Sequence, residues 1–140
     1  MKKFLFVLLQ CTWGCAQTLL GFLFFLKFRK KYPHRFYRGT IDTRWRSRSG
    51  MSLGLFIFTP PEDHPNSQKV RVHEYGHCFQ SILLGPLYLL VIGLVSICWA
   101  RIGYFVRLRK EKNIPYVACY TESWASKWGE LFTGEEATWH

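Results

Sequence analysis

His73, Glu74 and His77 spell H-E-x-x-H within residues 71–80, Arg-Val-His-Glu-Tyr-Gly-His-Cys-Phe-Gln. Residues four apart on a helix lie one above the other, so both imidazoles can turn toward one ion. Glu74, next to the first histidine, then stands close enough to take a proton from a water molecule that the ion polarises. Five residues can thus write a zinc site and its general base. Five His and seven Glu among 140 residues would give the pattern in roughly one shuffled chain in a hundred. The setting of the motif decides what it means.

Catalytic zinc takes three protein ligands and keeps a fourth position for water. By residue type the third ligand is open to His34, His64, Glu122, Glu130 and His140. Glu122 is preferred. Tyr120, Trp124 and Trp128 recur every four residues, so residues 117–128 are predicted to be a helix. On that helix Ala118, Glu122, Ala125 and Gly129 form a small-residue face that can come close to another helix. The expected metal ligands are therefore His73, His77 and Glu122, with Glu74 as catalytic base. Ser126, one turn after Glu122, is placed to hydrogen-bond a ligand. An oxyanion donor is open among Tyr75, Tyr116 and Tyr120.

The elements that must hold these residues are strongly segregated. Residues 4–26 carry no charge over 23 positions, enough for one N-terminal transmembrane helix. A cleaved leader is the weaker reading, because the apolar run continues well past the small residues at 14–16. Gln10, Thr12, Gln17 and Thr18 are costly in lipid and should face protein. Nine basic residues and one acid follow over 27–48, which puts that segment on the cytoplasmic side. Residues 36–58, with a turn signal at 47–50, read as one β-hairpin. Arg44, Arg46 and Arg48 are expected on a solvated or lipid-facing edge. Residues 70–84 form the predicted motif helix, ended by Gly85 and Pro86. Residues 87–106 form a second apolar segment, either a tilted span or a re-entrant one. Gly129 is read as a helix stop, with a frayed tail at 130–140.

The fold class expected is α+β in a single membrane-anchored domain, with a zincin-like helical core and a hairpin. The net charge of +10 lies mostly beside apolar segments, so anionic headgroups explain it better than nucleic acid, which is not expected as a partner. The five cysteines include no C-x-x-C pair and give neither a disulfide framework nor a cysteine zinc cluster.

His73-Glu-Tyr-Gly-His77, followed by Thr121-Glu122-Ser-Trp-Ala-Ser126, resembles the gluzincin group of zinc metallopeptidases. The resemblance implies a downstream helix Glu as metal ligand, here Glu122. The usual second motif is Glu-x-x-x-Asp, and this chain has Ser126 in the last place. Placement beside apolar segments is similar to membrane-embedded zinc proteases such as prenyl-protein endopeptidases and site-2 proteases, although no downstream Asp-Gly motif is present. The run 73–100 also resembles small bacterial membrane proteins with an H-E-Y-G-H core, which implies a bacterial cytoplasmic membrane.

The expected activity is Zn2+-dependent hydrolysis of a peptide or protein substrate by an integral membrane protein. In a chain this short, part of the cleft is open to a second copy or another membrane subunit. The rival readings are a non-enzymatic assembly or immunity protein with a structural zinc, closed by four protein ligands, and a cationic scaffold without metal.

Overall fold

The computed structural model describes residues 2–138, and His140 lies outside the described residues. The fold is α+β: among the described residues there are six α-helices and one four-stranded mixed sheet.

The apolar run 4–26 is not one helix. It divides into α1 (Lys3–Thr12) and α2 (Cys15–Phe28), bent by 95°. At the bend, the Gly14 N–H reaches back five residues to the Leu9 carbonyl (2.9 Å). A Cβ on Gly14 would come within 2.7 Å of Gln10 Oε1. Gln10 and Gln17 would sit about 10 Å apart along a straight helix; the bend brings both to the motif helix, α3 (Ser67–Leu84). Gln10 Nε2 donates to the Cys78 carbonyl (2.9 Å), and Gln17 Nε2 donates to Ser81 Oγ (2.7 Å). Ser81 Oγ in turn donates to Gln10 Oε1 (2.8 Å). Pairing both ends of the Gln10 amide and the Gln17 Nε2 in this way avoids a cost of about 1–3 kcal/mol for each group left unpaired, while Gln17 Oε1 has no partner among the described residues. Thr12, by contrast, is exposed and bonds back to the Leu8 carbonyl.

Residues 36–58 do not form one hairpin either. Four short strands, β1 (His34–Tyr37), β2 (Thr40–Arg44), β3 (Met51–Leu53) and β4 (Phe56–Thr59), make two hairpins joined by parallel pairing of β2 with β4. The order is β1-β2-β4-β3, so β3 is an edge. Arg38 (φ 47°) and Gly39 (φ 91°) make the first two-residue turn, whose positive φ values match strand twist. The expected turn at 47–50 belongs instead to the connection between the two hairpins. One face of the sheet packs Phe56 and Phe58 against Phe22, Phe24, Phe25 and Phe28 of α2. The other turns Ile57 and Ser52 toward Tyr75 and Cys78 of α3.

Behind α3 lies α6 (Tyr120–Thr133). The two helices touch at glycines: a Cβ on Gly76 would overlap the Ala125 carbonyl oxygen, and one on Gly129 would overlap that of Val72. Gly129 is therefore a contact point inside the helix and not its stop. Gly134, at φ 73°, ends α6. The segment after it packs back, with Ala137 buried and Glu135 Oε2 accepting from Tyr37 Oη (3.0 Å) and Gln68 Nε2 (2.7 Å). That corrects the frayed tail as far as residue 138.

After α3, Gly85 (φ 51°) turns under the Trp13 ring, where a Cβ would overlap the indole. A 3-10 turn (Gly85–Leu87) and a π-helical stretch (Leu89–Leu94) lead into α4 (Val95–Arg101) and then α5 (Gly103–Lys112). No single helix among the described residues is long and apolar enough to cross a membrane. Two bent pairs meet the length and composition together: α1 with α2, and Ser67–Leu87 with Leu89–Arg101 at 117°.

Candidate metal centre

The interlocked glycines bring α3 and α6 close enough for their side chains to share one site. His73 and His77, one turn apart on α3, face Glu122 in the first turn of α6. His73 Nε2 lies 2.9 Å from Glu122 Oε2, and His77 Nε2 lies 3.5 Å from the same oxygen. All three residues are buried, and their ligand atoms lie within 4.8 Å of one another. Ligands at 2.0–2.2 Å from a tetrahedral zinc stand about 3.4 Å apart, so this spacing fits a metal ion with little movement.

The other ring nitrogens are already committed. His77 Nδ1 lies 2.6 Å from Gln80 Oε1, while Gln80 Nε2 donates to the Thr121 carbonyl (2.9 Å), which fixes the amide so that the ring donates to it. His73 Nδ1 lies 2.8 Å from Ser126 Oγ, whose hydroxyl proton goes to the Thr138 carbonyl. With both Nδ1–H groups donating outward, two Nε2 lone pairs and a carboxylate oxygen converge on one point. Such convergence calls for a cation.

The electrostatics agree. Burial disfavours charge on His77, but the Glu122 carboxylate outweighs it and pushes the imidazole up to about 9. Burial takes His73 down, against its hydrogen bond with Glu122. Burial alone would raise Glu122, yet the His77 charge and the hydrogen bonds with both rings hold its carboxyl well below the usual range. A proton on His77 is the least that relieves the convergence; a metal ion relieves it from all three sides. The buried group His73, His77 and Glu122 could therefore hold a metal ion.

Glu74 stands beside this group without belonging to it. It is buried (6 % exposed), and burial pushes its carboxyl up to about 8 against the opposing charge of His77. A Cβ on Gly50, at the entry to the edge strand β3, would overlap the Glu74 carboxylate. The Glu74 carboxylate is thus pressed between the motif helix and the sheet edge.

The remaining candidates are placed elsewhere. His64 accepts from the Asn66 N–H in its own loop (3.2 Å), and the His34 ring packs edge-on against Phe25. Glu130 Oε1 accepts from the Ala137 N–H (3.1 Å). Tyr75 Oη donates to the Arg38 carbonyl and Tyr120 Oη to the Val91 carbonyl. Tyr116 lies within electrostatic reach of Glu122 and Glu74, with burial first in raising its phenol. Arg44 is not on a solvated edge: it is 6 % exposed, with Nε 3.1 Å from the buried Asp42 carboxylate. Arg71, two residues before His73, approaches the same carboxylate at 3.9 Å and ties α3 to β2.

Sequence reasoning missed Gln80, Thr138 and Tyr88. Gln80 stands three residues after His77, a helical spacing that could have announced it. Tyr88 is buried and donates to the Ser52 carbonyl on β3 (3.2 Å). Nothing local to the sequence marks Thr138 or Tyr88.

No family model, curated protein or solved structure matches this chain. The site's geometry therefore carries the functional reading alone.

Ser126 Oγ meets His73 Nδ1 at 2.8 Å, and its replacement is a direct check on what that contact does. Ser126→Ala is expected to weaken zinc affinity about 10–100-fold, measured by competition against a chromophoric chelator. Unchanged affinity would remove Ser126 from any orienting part.

Proposed function

We propose that this protein is an integral membrane zinc metallopeptidase. The observation that carries the reading is the convergence of His73 Nε2, His77 Nε2 and Glu122 Oε2, with Glu74 beside them. Three donors of this kind are the ligand set of a catalytic zinc, whereas a closed structural site takes four. That count favours the enzyme over the assembly-factor reading.

A bound zinc ion supplies Lewis acidity that makes water a usable nucleophile near neutral pH. Glu74 accepts the proton of the attacking water and delivers it to the leaving amine. Burial raises that carboxyl, which makes its ionised form the stronger proton acceptor. Ser126 and Gln80 hold the two rings in the tautomer that leaves Nε2 free. Tyr116 is the proposed oxyanion donor. Strand β3 is an edge that begins beside Glu74, so an extended peptide added to it would run past the base.

The membrane assignment rests on exposed apolar surface. Phe4, Leu19 and Leu23 of α1 and α2 are at least half exposed, as are Leu87, Leu90 and Ile97 in the second apolar stretch. Water would meet all of them, whereas acyl chains would cover them. We place α1, α2 and the second apolar stretch, residues 87–101, in a bacterial cytoplasmic membrane on that ground, with the motif residues of α3 outside it.

The test uses the full chain, purified in detergent with zinc present. About one zinc per chain is expected, with hydrolysis of a quenched fluorogenic peptide library that chelation abolishes and added zinc restores. Less than about a tenth of an equivalent of zinc would sink the metal site. Full zinc without hydrolysis would leave a structural site and sink the peptidase.

A further inference from the structure

Away from the metal centre, a cavity of about 650 Å³ opens where α2 ends and the sheet begins. Lys31, Arg35, Arg44 and Arg46 line it, against two carboxylates, Glu62 and Asp63. None of its lining residues belongs to the His73–His77–Glu122 group. Arg44 is buried and immobilised, with Nε beside Asp42 Oδ2 and one Nη donating to the Pro60 carbonyl. Arg35 forms an ion pair with Glu62. Lys31 and Arg46 are exposed, and neither has an acidic partner within 4.0 Å among the described residues. Trp45 packs its ring on Phe28 and Phe58 and donates Nε1–H to the Ser49 carbonyl, so the wall is apolar on one side and cationic on the other.

We infer that this cavity binds a phosphate-bearing group, the headgroup phosphate of an anionic lipid. Guanidinium forks match phosphate oxygens in pairs, and a lysine adds a mobile point charge. Lys31 and Arg46, neither of them in an ion pair among the described residues, can meet a phosphodiester across from the Glu62 and Asp63 carboxylates, while Arg35 joins them if Glu62 swings away. The volume exceeds what a bare phosphate needs and leaves room for a glycerol headgroup. Position supports the lipid source. Leu19, Leu23 and Leu26 are exposed along α2, and Lys27, Arg29, Lys30 and Lys31 follow at once. With α2 in acyl chains, the cavity mouth stands at phosphate depth, where Trp and basic residues collect. The lipid source rests on the bilayer reading above; the anion site itself does not, nor does either rest on hydrolysis.

The full chain in detergent is titrated with phosphatidylglycerol and with phosphatidylcholine, read by native mass spectrometry. Inorganic phosphate is titrated separately, read by phosphorus NMR line broadening. Phosphatidylglycerol is expected to bind about tenfold more tightly than phosphatidylcholine. The double variant Lys31→Gln, Arg46→Gln should lose that preference, and Glu62→Gln should increase it. A control on α5, Arg107→Gln with Lys110→Gln, should keep it. All variants should keep the zinc content and melting temperature of the parent, which separates this site from the metal centre and from misfolding. Inorganic phosphate binding with the same dependence on Lys31 and Arg46, without a lipid preference, would keep the anion site and make soluble phosphate its source. Equal loss in the α5 control, or binding unchanged in the double variant, would overturn the site.

Discussion

Glu74→Gln is expected to retain one zinc per chain and to lose peptide hydrolysis by about 10²–10⁴-fold. Zinc stays because Glu74 is not among the three converging donors, and the amide is close to isosteric with the carboxylate it replaces. The contact with Gly50 at the head of β3 is preserved by shape, so the fold should not register the change. Turnover falls because an amide cannot accept the proton of the attacking water. Zinc content by mass spectrometry and hydrolysis on one preparation separate the two effects. Hydrolysis within tenfold of the parent would mean that another group is the base. Loss of zinc along with turnover would mean that Glu74 helps to hold the ion.

Gly76→Ala carries the largest expected effect on stability. Its new methyl would overlap the Ala125 carbonyl oxygen and approach the Gly129 nitrogen (2.9 Å), both backbone atoms that cannot rotate aside. Relief requires α3 and α6 to separate along their tightest contact. Overpacking between rigid elements costs about 3 kcal/mol or more, or about 10 °C in melting temperature. Because the ligands are split between these helices, zinc should weaken together with stability. Gly103→Ala is the control: nothing lies within 4 Å of its added Cβ. That change should be neutral or slightly stabilising, since alanine is the better helix former. A Gly76→Ala protein melting within 2 °C of the parent would contradict the close-packed interface.

The grouping of His73, His77 and Glu122 was more legible in the sequence than the architecture around it. His73 and His77 are local to one helix, so spacing alone places their rings together. Glu122 lies far along the chain, yet Ala125 and Gly129 on the same face announced a helix able to dock closely, and the structure brings Glu122 to both rings. The membrane-like run 4–26 read as one helix because hydropathy averages over Gly14. What bends it is the distant Ser81 and the Cys78 carbonyl, which two buried glutamines must reach. The parallel pairing of β2 with β4 was hidden for a related reason. Alternation fixes which face a residue takes, not which strand it pairs with. Arg38 in a positive-φ turn is a residue type that rarely signals one. Arg44 was misplaced because a basic stretch reads as solvated unless its buried counterion, Asp42, is known to lie opposite.

The two unspecified letters of the pentapeptide are not free in this protein. Tyr75 is spent on the Arg38 carbonyl and the Phe6 ring, and Gly76 on the backbone of α6. Kindred chains should therefore carry a longer fingerprint, H-E-aromatic-G-H paired with E-x-x-A-S-x-x-G, in which some letters describe fit between the helices and the others line the candidate metal site. A genome scan on both halves together would gather descendants of this scaffold and pass over the many proteins that share only the shorter word.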